Sequence, residues 1–455
     1  MTQNREQFAS RIGFLLMTAG CAIGLGNIWR FPYVAGQNGG GFFVLLYFVC
    51  LAFLGFPVLL LELSLGRAGR STFPGAFRNL KNPDSKFKWE IPAFFFFAGN
   101  LILLMFYSVV TGWLLYYVFN FLSGNKMIME PEAFSGLLAS PGNQIIFLLI
   151  SLLITFIICI GGVQKRIEKS IKYMMGGLFL LLIILVVKAN LLENSVTGLK
   201  FFLTPDWSNF VEKDPWGTVS AAMTQSFFTL SLGIGSIAIC GSYIGKERTL
   251  TSEGCWIIVL DTVVAVCSGL IIFPACFAFG IKPDAGPSLI FITLPKVFQN
   301  MNGGFFWGIL FFLFLFVAAL STLVAVFENL VAYGMDEYRW SRKKSTFLFG
   351  ALLTVLSFPC VFGYNLWSCI QPFGKGSTIL DLEDFIVSNN LLPLGALYLT
   401  VFCMNRYGWG KEKCLSEINT GKGLKFSRYF LPYITWILPL IILAIWFTGI
   451  IGFFS

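Results

Sequence analysis

Six polar residues lie in apolar surroundings, where a charge or an unpaired hydroxyl is expensive. Asp261 interrupts WIIVLDTVVAV. Asn27 and Arg30 follow Gly20, Gly24 and Gly26 in GCAIGLGNIWRFPY. Thr229 lies in SFFTLSLGIG, and Ser321 and Thr322 are adjacent in AALSTLVAV. A charge at the centre of a bilayer costs roughly 2.5–3.5 kcal/mol, so residues of this kind mark functional sites. All the neutral ones are oxygen donors, and oxygen ligation suits an alkali or alkaline-earth cation. The chain has no histidine, which excludes histidine metal sites and histidine proton relays. Tyr107 adds a phenol in an apolar segment, with no sequence neighbour to satisfy it. A buried tyrosine hydroxyl needs a partner, and a bound carboxylate would serve.

The elements that must position these groups are membrane helices. The chain has 455 residues, 56% of them hydrophobic and 12% charged, with a mean hydropathy of +0.77. This is the composition of an all-α polytopic membrane protein. Eleven spans are predicted, at 12–35, 42–66, 91–121, 144–162, 170–188, 217–243, 254–280, 305–336, 346–363, 379–404 and 430–454. Residues 12–33 are too long and too polar at their end for a cleaved signal peptide. With the N-terminus inside, all but eight of the 32 Lys and Arg fall on inner segments. The eight are Arg30, Lys126, Lys188, Lys200, Lys213, Lys282, Lys296 and Lys375. That asymmetry orients the chain and places the C-terminus outside. It also accounts for the formal net charge of +9 without a nucleic-acid partner. The eleven cysteines lie mostly within spans and form no CxxC pair. Cys360 and Cys369 fall near the same outer face, but small buried hydrophobes are the expectation for the set.

Two spans carry interruptions. The first is broken around Gly20–Gly26. The sixth is broken at Ser231-Leu232-Gly233-Ile234-Gly235. Breaks in the first and sixth of eleven helices are the spacing of five helices repeated with inverted topology, and paired breaks point to a transporter's midplane site. An unwound segment exposes carbonyls with partial negative charge and N–H groups with partial positive charge. The carbonyls of Gly20, Ala22 and Ile23 can therefore hold a small hard cation. Asn27 can add its side-chain oxygen, and Thr229 both a carbonyl and a hydroxyl. A half-helix N-terminus can take a substrate carboxylate. Adjacent mid-helix hydroxyls such as Ser321 and Thr322 usually bond back to their own turn; beside two broken helices, a cation-ligand role is the stronger expectation.

GLGNIWRFPY followed by QNGGGFF, with QSFFTLSLGIG in the sixth span, resembles the neurotransmitter:sodium symporter family over essentially the whole chain. Bacterial leucine-transporter-like members are the nearest pattern. The resemblance implies one transmembrane domain over 1–455 with a five-plus-five inverted repeat and discontinuous helices 1 and 6. Repeat one would cover about 8–190, repeat two about 215–405, and an extra helix about 430–454. It implies symport of sodium, two ions per cycle, with an amino acid or amine across the plasma (inner) membrane. Sodium site one would use Ala22, Asn27, Thr229, Asp261 and the substrate carboxylate. Site two would use Gly20, Ile23, Ala318, Ser321 and Thr322. The substrate pocket would include Cys21, Gly24, Gly26, Leu103, Tyr107, Phe228, Ser231, Ile234, Thr322 and Val326. The outer gate would be Arg30 with Asp384 and the Phe228 lid. The inner gate would be Arg5 with Asp336, supported by Tyr243.

Two positions depart from the family pattern. Asp261 stands where the sodium ligand is usually asparagine, and Ala265 stands where bacterial relatives often have a glutamate. Chloride-requiring relatives have a neutral serine there, and Tyr47 and Gln225 match their chloride-site neighbours. Asp261 is expected to supply the missing negative charge and remove any need for chloride. Monoamine-carrying relatives have an aspartate at the position of Gly24; glycine leaves room for a substrate that brings its own carboxylate. Leu103, Phe228, Ile234 and Val326 favour a hydrophobic or aromatic side chain, with Ile234 replacing a usual phenylalanine. Against an enzyme stand the lack of a metal cluster and of any nucleophile–base pair. A channel or a sensor of the same fold is the alternative. Glu328, in the eighth span, has no partner legible in the sequence.

Overall fold

In the computed structural model, which describes residues 8–212, 214–280 and 289–454, the apolar stretches fold as helices. Nine of these, among the described residues, are long and apolar enough to cross a membrane. They are α2 Gly41–Gly69, α3 Glu90–Leu122, α4 Pro141–Ile160, α5 Val163–Asn190, α7 Leu250–Ala278, α8 Gly304–Tyr338, α9 Arg342–Phe362, α10 Ile379–Met404 and α11 Arg428–Ile451. The first span is a bent pair, α1a Arg11–Ala22 and α1b Gly26–Gln37, with 56° between the halves. The sixth is Pro215–Phe228 (α6a) and Ser236–Ser242 (α6b), separated by a non-helical turn. Helices occupy all eleven predicted stretches, although the two short helices of the sixth are not among those long and apolar enough to cross a membrane. The largest boundary difference is at α5, which starts at Val163 instead of residue 170.

Burial orders the helices. In α8, 78% of the most apolar stretch is buried, against 61% in α3, 28% in α5 and 22% in α11. So α8, α3 and the equally buried α2 form the core, and α5 and α11 leave their apolar faces for lipid. This is the arrangement a helix must have where the surroundings are as apolar as the core.

Prolines shape the spans. Of six widened π turns among the described residues, one, Val163–Ile167, has no proline two residues after it, and the other five cover Gly26–Arg30, Leu51–Gly55, Leu289–Thr293, Phe385–Leu391 and Tyr433–Ile437. Each of these five ends two residues before a proline: Pro32, Pro57, Pro295, Pro393 and Pro439. Proline lacks an N–H, and its ring collides with the carbonyl four residues back. Opening the preceding turn relieves both problems, and such bulges are a known cause of helix kinks.

Close backbone approach sets the position of α6b. A Cβ on Gly66 of α2 would sit 1.9 Å from the Ala238 carbonyl oxygen of α6b, and one on Gly241 of α6b 2.5 Å from the Leu63 carbonyl oxygen of α2. Small residues at both surfaces let the two backbones touch. On the other side, a Cβ on Gly395 of α10 would meet the Gly233 carbonyl oxygen at 2.1 Å. The short α6b is thus held by backbone contact rather than by length.

Gly66→Ala should lower the melting temperature of the detergent-purified protein, with a loss of about 1–3 kcal/mol from overpacking. Gly176→Ala, where an added Cβ meets nothing within 4 Å, should change stability by less than about 0.5 kcal/mol. Equal shifts for the two variants would contradict this packing.

Candidate functional site

The breaks differ in how the backbone makes them. In the first, Ile23 leaves the helix in an extended conformation, φ −70° and ψ 97°, while its N–H still bonds Ala19 O at 2.6 Å. None of the glycines there takes a positive φ. Their service is space. A Cβ on Gly24 would lie 2.6 Å from Tyr107 Oη and 2.8 Å from Thr322 Oγ1, and one on Gly26 would meet the Phe228 ring at 2.9 Å. In the second break, Gly233 (φ 96°) and Gly235 (φ 85°) occupy the left-handed region, and so does Ser231 (φ 51°). Glycine enters that region freely; a serine there is uncommon.

The two breaks meet over α7. Asn27 Nδ2 donates to Thr229 Oγ1 at 2.9 Å and to Asp261 Oδ1 at 2.8 Å. The Thr229 hydroxyl donates to Asp261 Oδ2 at 3.1 Å. Asn27 Oδ1 accepts the Gly24 N–H at 3.3 Å. All three side chains are buried. Among the described residues no Lys or Arg forms a salt bridge with Asp261. A buried carboxylate without a counter-charge is costly, so this cluster favours a cation. Ala22, expected to give a carbonyl here, is the last residue of α1a. The Tyr47 hydroxyl lies beside Asp261 and Thr229, with no hydrogen bond as short as 3.5 Å among the described residues. Gln225 Nε2 donates to Gly26 O at 3.0 Å, and its Oε1 is unpartnered.

The second predicted set also converges. Thr322 Oγ1 lies 3.0 Å from Gly20 O, 3.1 Å from Ile23 O and 3.4 Å from Ala318 O. Ser321 Oγ bonds back to Ala318 O at 2.8 Å and approaches Gly20 O at 3.5 Å. Two hydroxyls and three carbonyls therefore cluster between α1a and α8.

Around the predicted pocket the structure makes three corrections. Tyr107 Oη is not without a partner: the Leu25 N–H of the first break donates to it at 3.2 Å. Gly24 does not open free volume, because Tyr107 and Thr322 take the space a side chain would need. Arg30 and Asp384 make no direct ion pair. The Arg30 guanidinium lies 4.0 Å over the Phe228 ring, while Asp384 accepts from Ser388 Oγ at 2.6 Å. Asp384 is still near enough to act on Arg30 electrostatically. Cys21 Sγ reaches Ser236 O at 3.7 Å. Leu103, Ile234 and Val326 are buried nearby. At the other end, Arg5 lies outside the described residues. Asp336 accepts from Ser71 Oγ at 3.1 Å and from the Thr72 N–H at 2.9 Å. Tyr243 packs edge-on against Phe8 at 5.8 Å.

Sequence reasoning missed three carboxylates. Glu62 of α2 accepts the N–H groups of Gly233, Ile237 and Ala238 at 2.7, 3.1 and 3.4 Å, so it caps the positive end of α6b. The LLELSL stretch around Glu62 contained the signal, a lone acid in an apolar run. Glu168 holds the start of α1a through Ala9 N–H at 2.7 Å and Ser10 Oγ at 2.8 Å. Glu253 holds Arg11 at 3.0 Å. Glu328 now has partners: Arg342 binds it at 2.7 and 2.9 Å, and Tyr243 Oη donates to it at 2.9 Å.

The family model described as "Sodium:neurotransmitter symporter family" matches residues 5–130 and 127–455. The chain is 34% identical to the uncharacterized sodium-dependent transporter YhdH of Bacillus subtilis, over 100% of this chain and 99% of that protein. It is 32% identical to an uncharacterized sodium-dependent transporter of Haemophilus influenzae, over 99% of this chain and 100% of that one. The crystal structure of MhsT in complex with L-phenylalanine superposes with a TM-score of 0.86 at 37% identity, covering 98% of this chain and 100% of that one.

Removing the cation from the Glu328 pair leaves a buried carboxylate. Arg342→Ala should therefore cost about 3–5 kcal/mol of stability, and adding Glu328→Gln should recover part of that loss. Thermal unfolding of both variants checks this; a double variant less stable than Arg342→Ala alone would contradict it.

Proposed function

This chain belongs to the sodium:neurotransmitter symporter family, and we propose that it couples sodium entry to uptake of a hydrophobic or aromatic α-amino acid by alternating access. The observation that carries this reading is the buried Asp261 carboxylate, hydrogen-bonded to Asn27 and Thr229 with no cationic side chain paired to it among the described residues. In a low-dielectric site such a carboxylate attracts a cation strongly. One sodium is assigned to Asn27, Thr229, Asp261 and the Ala22 carbonyl, completed by the substrate carboxylate. A second is assigned to the carbonyls of Gly20, Ile23 and Ala318 with the hydroxyls of Ser321 and Thr322. The fixed charge of Asp261 makes chloride unnecessary, although Tyr47 and Gln225 keep unpartnered polar atoms nearby.

The substrate carboxylate belongs beside the Leu25 N–H and Tyr107 Oη, which already bond each other. Leu103, Ile234, Val326 and the Phe228 ring line the side-chain end. A relative crystallised with L-phenylalanine supports an apolar side chain there. Sodium and substrate share a site, so each raises the other's affinity. With Phe228 over the substrate, Arg30 moves from its stacked position to pair with Asp384 and closes the outer side. The inner side is closed by Arg5 with Asp336 and by Tyr243, with the N-terminus in the cytoplasm.

Purified protein screened against the twenty amino acids should be stabilised by hydrophobic and aromatic ones in sodium and not in potassium. Saturation at a hundred times Kd corresponds to about 2.7 kcal/mol. Equal stabilisation in potassium, or stabilisation by acidic amino acids alone, would overturn the proposal.

A further inference from the structure

Beyond Leu103 and Val326 lies a pair of buried amides that the described residues satisfy only in part. Asn100 of α3 and Asn329 of α8 are both fully buried, at 0% exposure. Asn100 Nδ2 donates to Phe97 O and to Ile234 O, each at 2.7 Å, so its amide is fixed against the broken helix. Its Oδ1 has no partner. Asn329 has none for either Oδ1 or Nδ2. Buried amide groups are almost always hydrogen-bonded, and three orphaned atoms on facing helices point to an absent polar group.

The register of the two helices brings them to one level. They run antiparallel and are tied at two points. Tyr107 Oη and Thr322 Oγ1 converge on Gly24, and the Phe97 and Tyr333 rings meet at 4.8 Å. Between these ties come Leu103 with Val326, then Asn100 with Asn329. On α8, residues 322, 326, 329 and 333 recur at helical spacing and share the face toward α3. From Tyr107 to Asn100 is seven residues, about 10 Å at roughly 1.5 Å per residue. A tyrosine hydrogen-bonded at both its carboxylate and its phenol oxygen spans a comparable distance.

We infer that Asn100 and Asn329 form the far end of the substrate site and select an aromatic amino acid that carries a para-hydroxyl. This rests on the substrate reading above. A hydroxyl accepts one hydrogen bond and donates another. It can accept from Asn329 Nδ2 and donate to Asn100 Oδ1, two of the three orphaned atoms. An indole N–H donates only and satisfies one of the two. Phenylalanine satisfies neither and leaves the amides unpaired. Sites built to bond a substrate hydroxyl discriminate strongly against analogues that lack it, because the buried groups are then stranded.

The test is sodium-dependent uptake in proteoliposomes with competition by tyrosine, phenylalanine, para-fluorophenylalanine and tryptophan. Tyrosine should compete about tenfold better than phenylalanine or its fluoro analogue, a difference of about 1.4 kcal/mol, with tryptophan between them. Asn329→Leu should bring tyrosine level with phenylalanine while phenylalanine uptake persists, which also shows that the variant folds. Phenylalanine competing as well as tyrosine in the wild type would overturn the inference. It would mean that ordered water fills the amide pair, and it would leave the transporter assignment standing. Loss of all sodium-dependent amino acid uptake in the wild type would instead remove the reading on which the inference rests. The wild-type series decides the matter even where Asn329→Leu does not fold.

Discussion

The constraint on which the structure depends is a carboxylate buried at the point where two helices are broken. Asp261 is fully buried and is held by Asn27 from the first break and Thr229 from the second. A regular α1 would keep its carbonyls within the helix and put Asn27 in a different register. A regular α6 would carry the Thr229 hydroxyl past the site. The breaks therefore bring polar backbone to the acid, and the acid supplies a charge that dipoles alone do not. Irregular backbone at this depth is tolerated because protein covers it on every side.

The surrounding helices hold this arrangement by two different means. Where position must not vary, backbones touch. Gly66 and Gly241 pack α2 onto α6b, Gly395 packs α10 onto the Gly233 carbonyl, and Glu62 caps the half-helix that results. Proline-widened turns let long spans curve around the break without losing their hydrogen bonds altogether. Where the start of α1a meets its neighbours, the contacts are polar and near the rim: Glu168 with Ala9, Ser10 and Lys172, and Glu253 with Arg11. Glu168 and Glu253 are themselves buried, and their cationic partners Lys172 and Arg11 are the half-exposed members of each pair. The fold thus anchors α1a by ion pairs and α6b by backbone contact.

What could be read from the chain follows from how local each signal is. The eleven spans were legible because apolar length is a local property. The breaks were legible because glycine clusters and stray polar residues lie next to each other in sequence. Both oxygen clusters were legible through the family motif, down to Gly20, Ile23 and Ala318. The details that failed were relations across the fold. The first break looked like a property of its glycines, yet Ile23 makes the bend and the glycines admit Tyr107, Thr322 and Phe228. The family resemblance paired Arg30 with Asp384 as an outer gate, but the guanidinium stacks on Phe228 instead. Glu328 could not be assigned because Arg342, although only fourteen residues away, lies beyond the end of α8 in the next helix. Asn100 and Asn329 passed unnoticed because a single asparagine in an apolar span says nothing about whether its amide is satisfied.

The central claim is that the Asp261 charge completes the sodium site without an anion from solution. Sodium-driven amino acid uptake in proteoliposomes with chloride replaced by gluconate measures this directly. The account predicts wild-type uptake unchanged by the replacement, and an Asp261→Asn variant whose remaining uptake requires chloride. Wild-type uptake that rises with added chloride would contradict it.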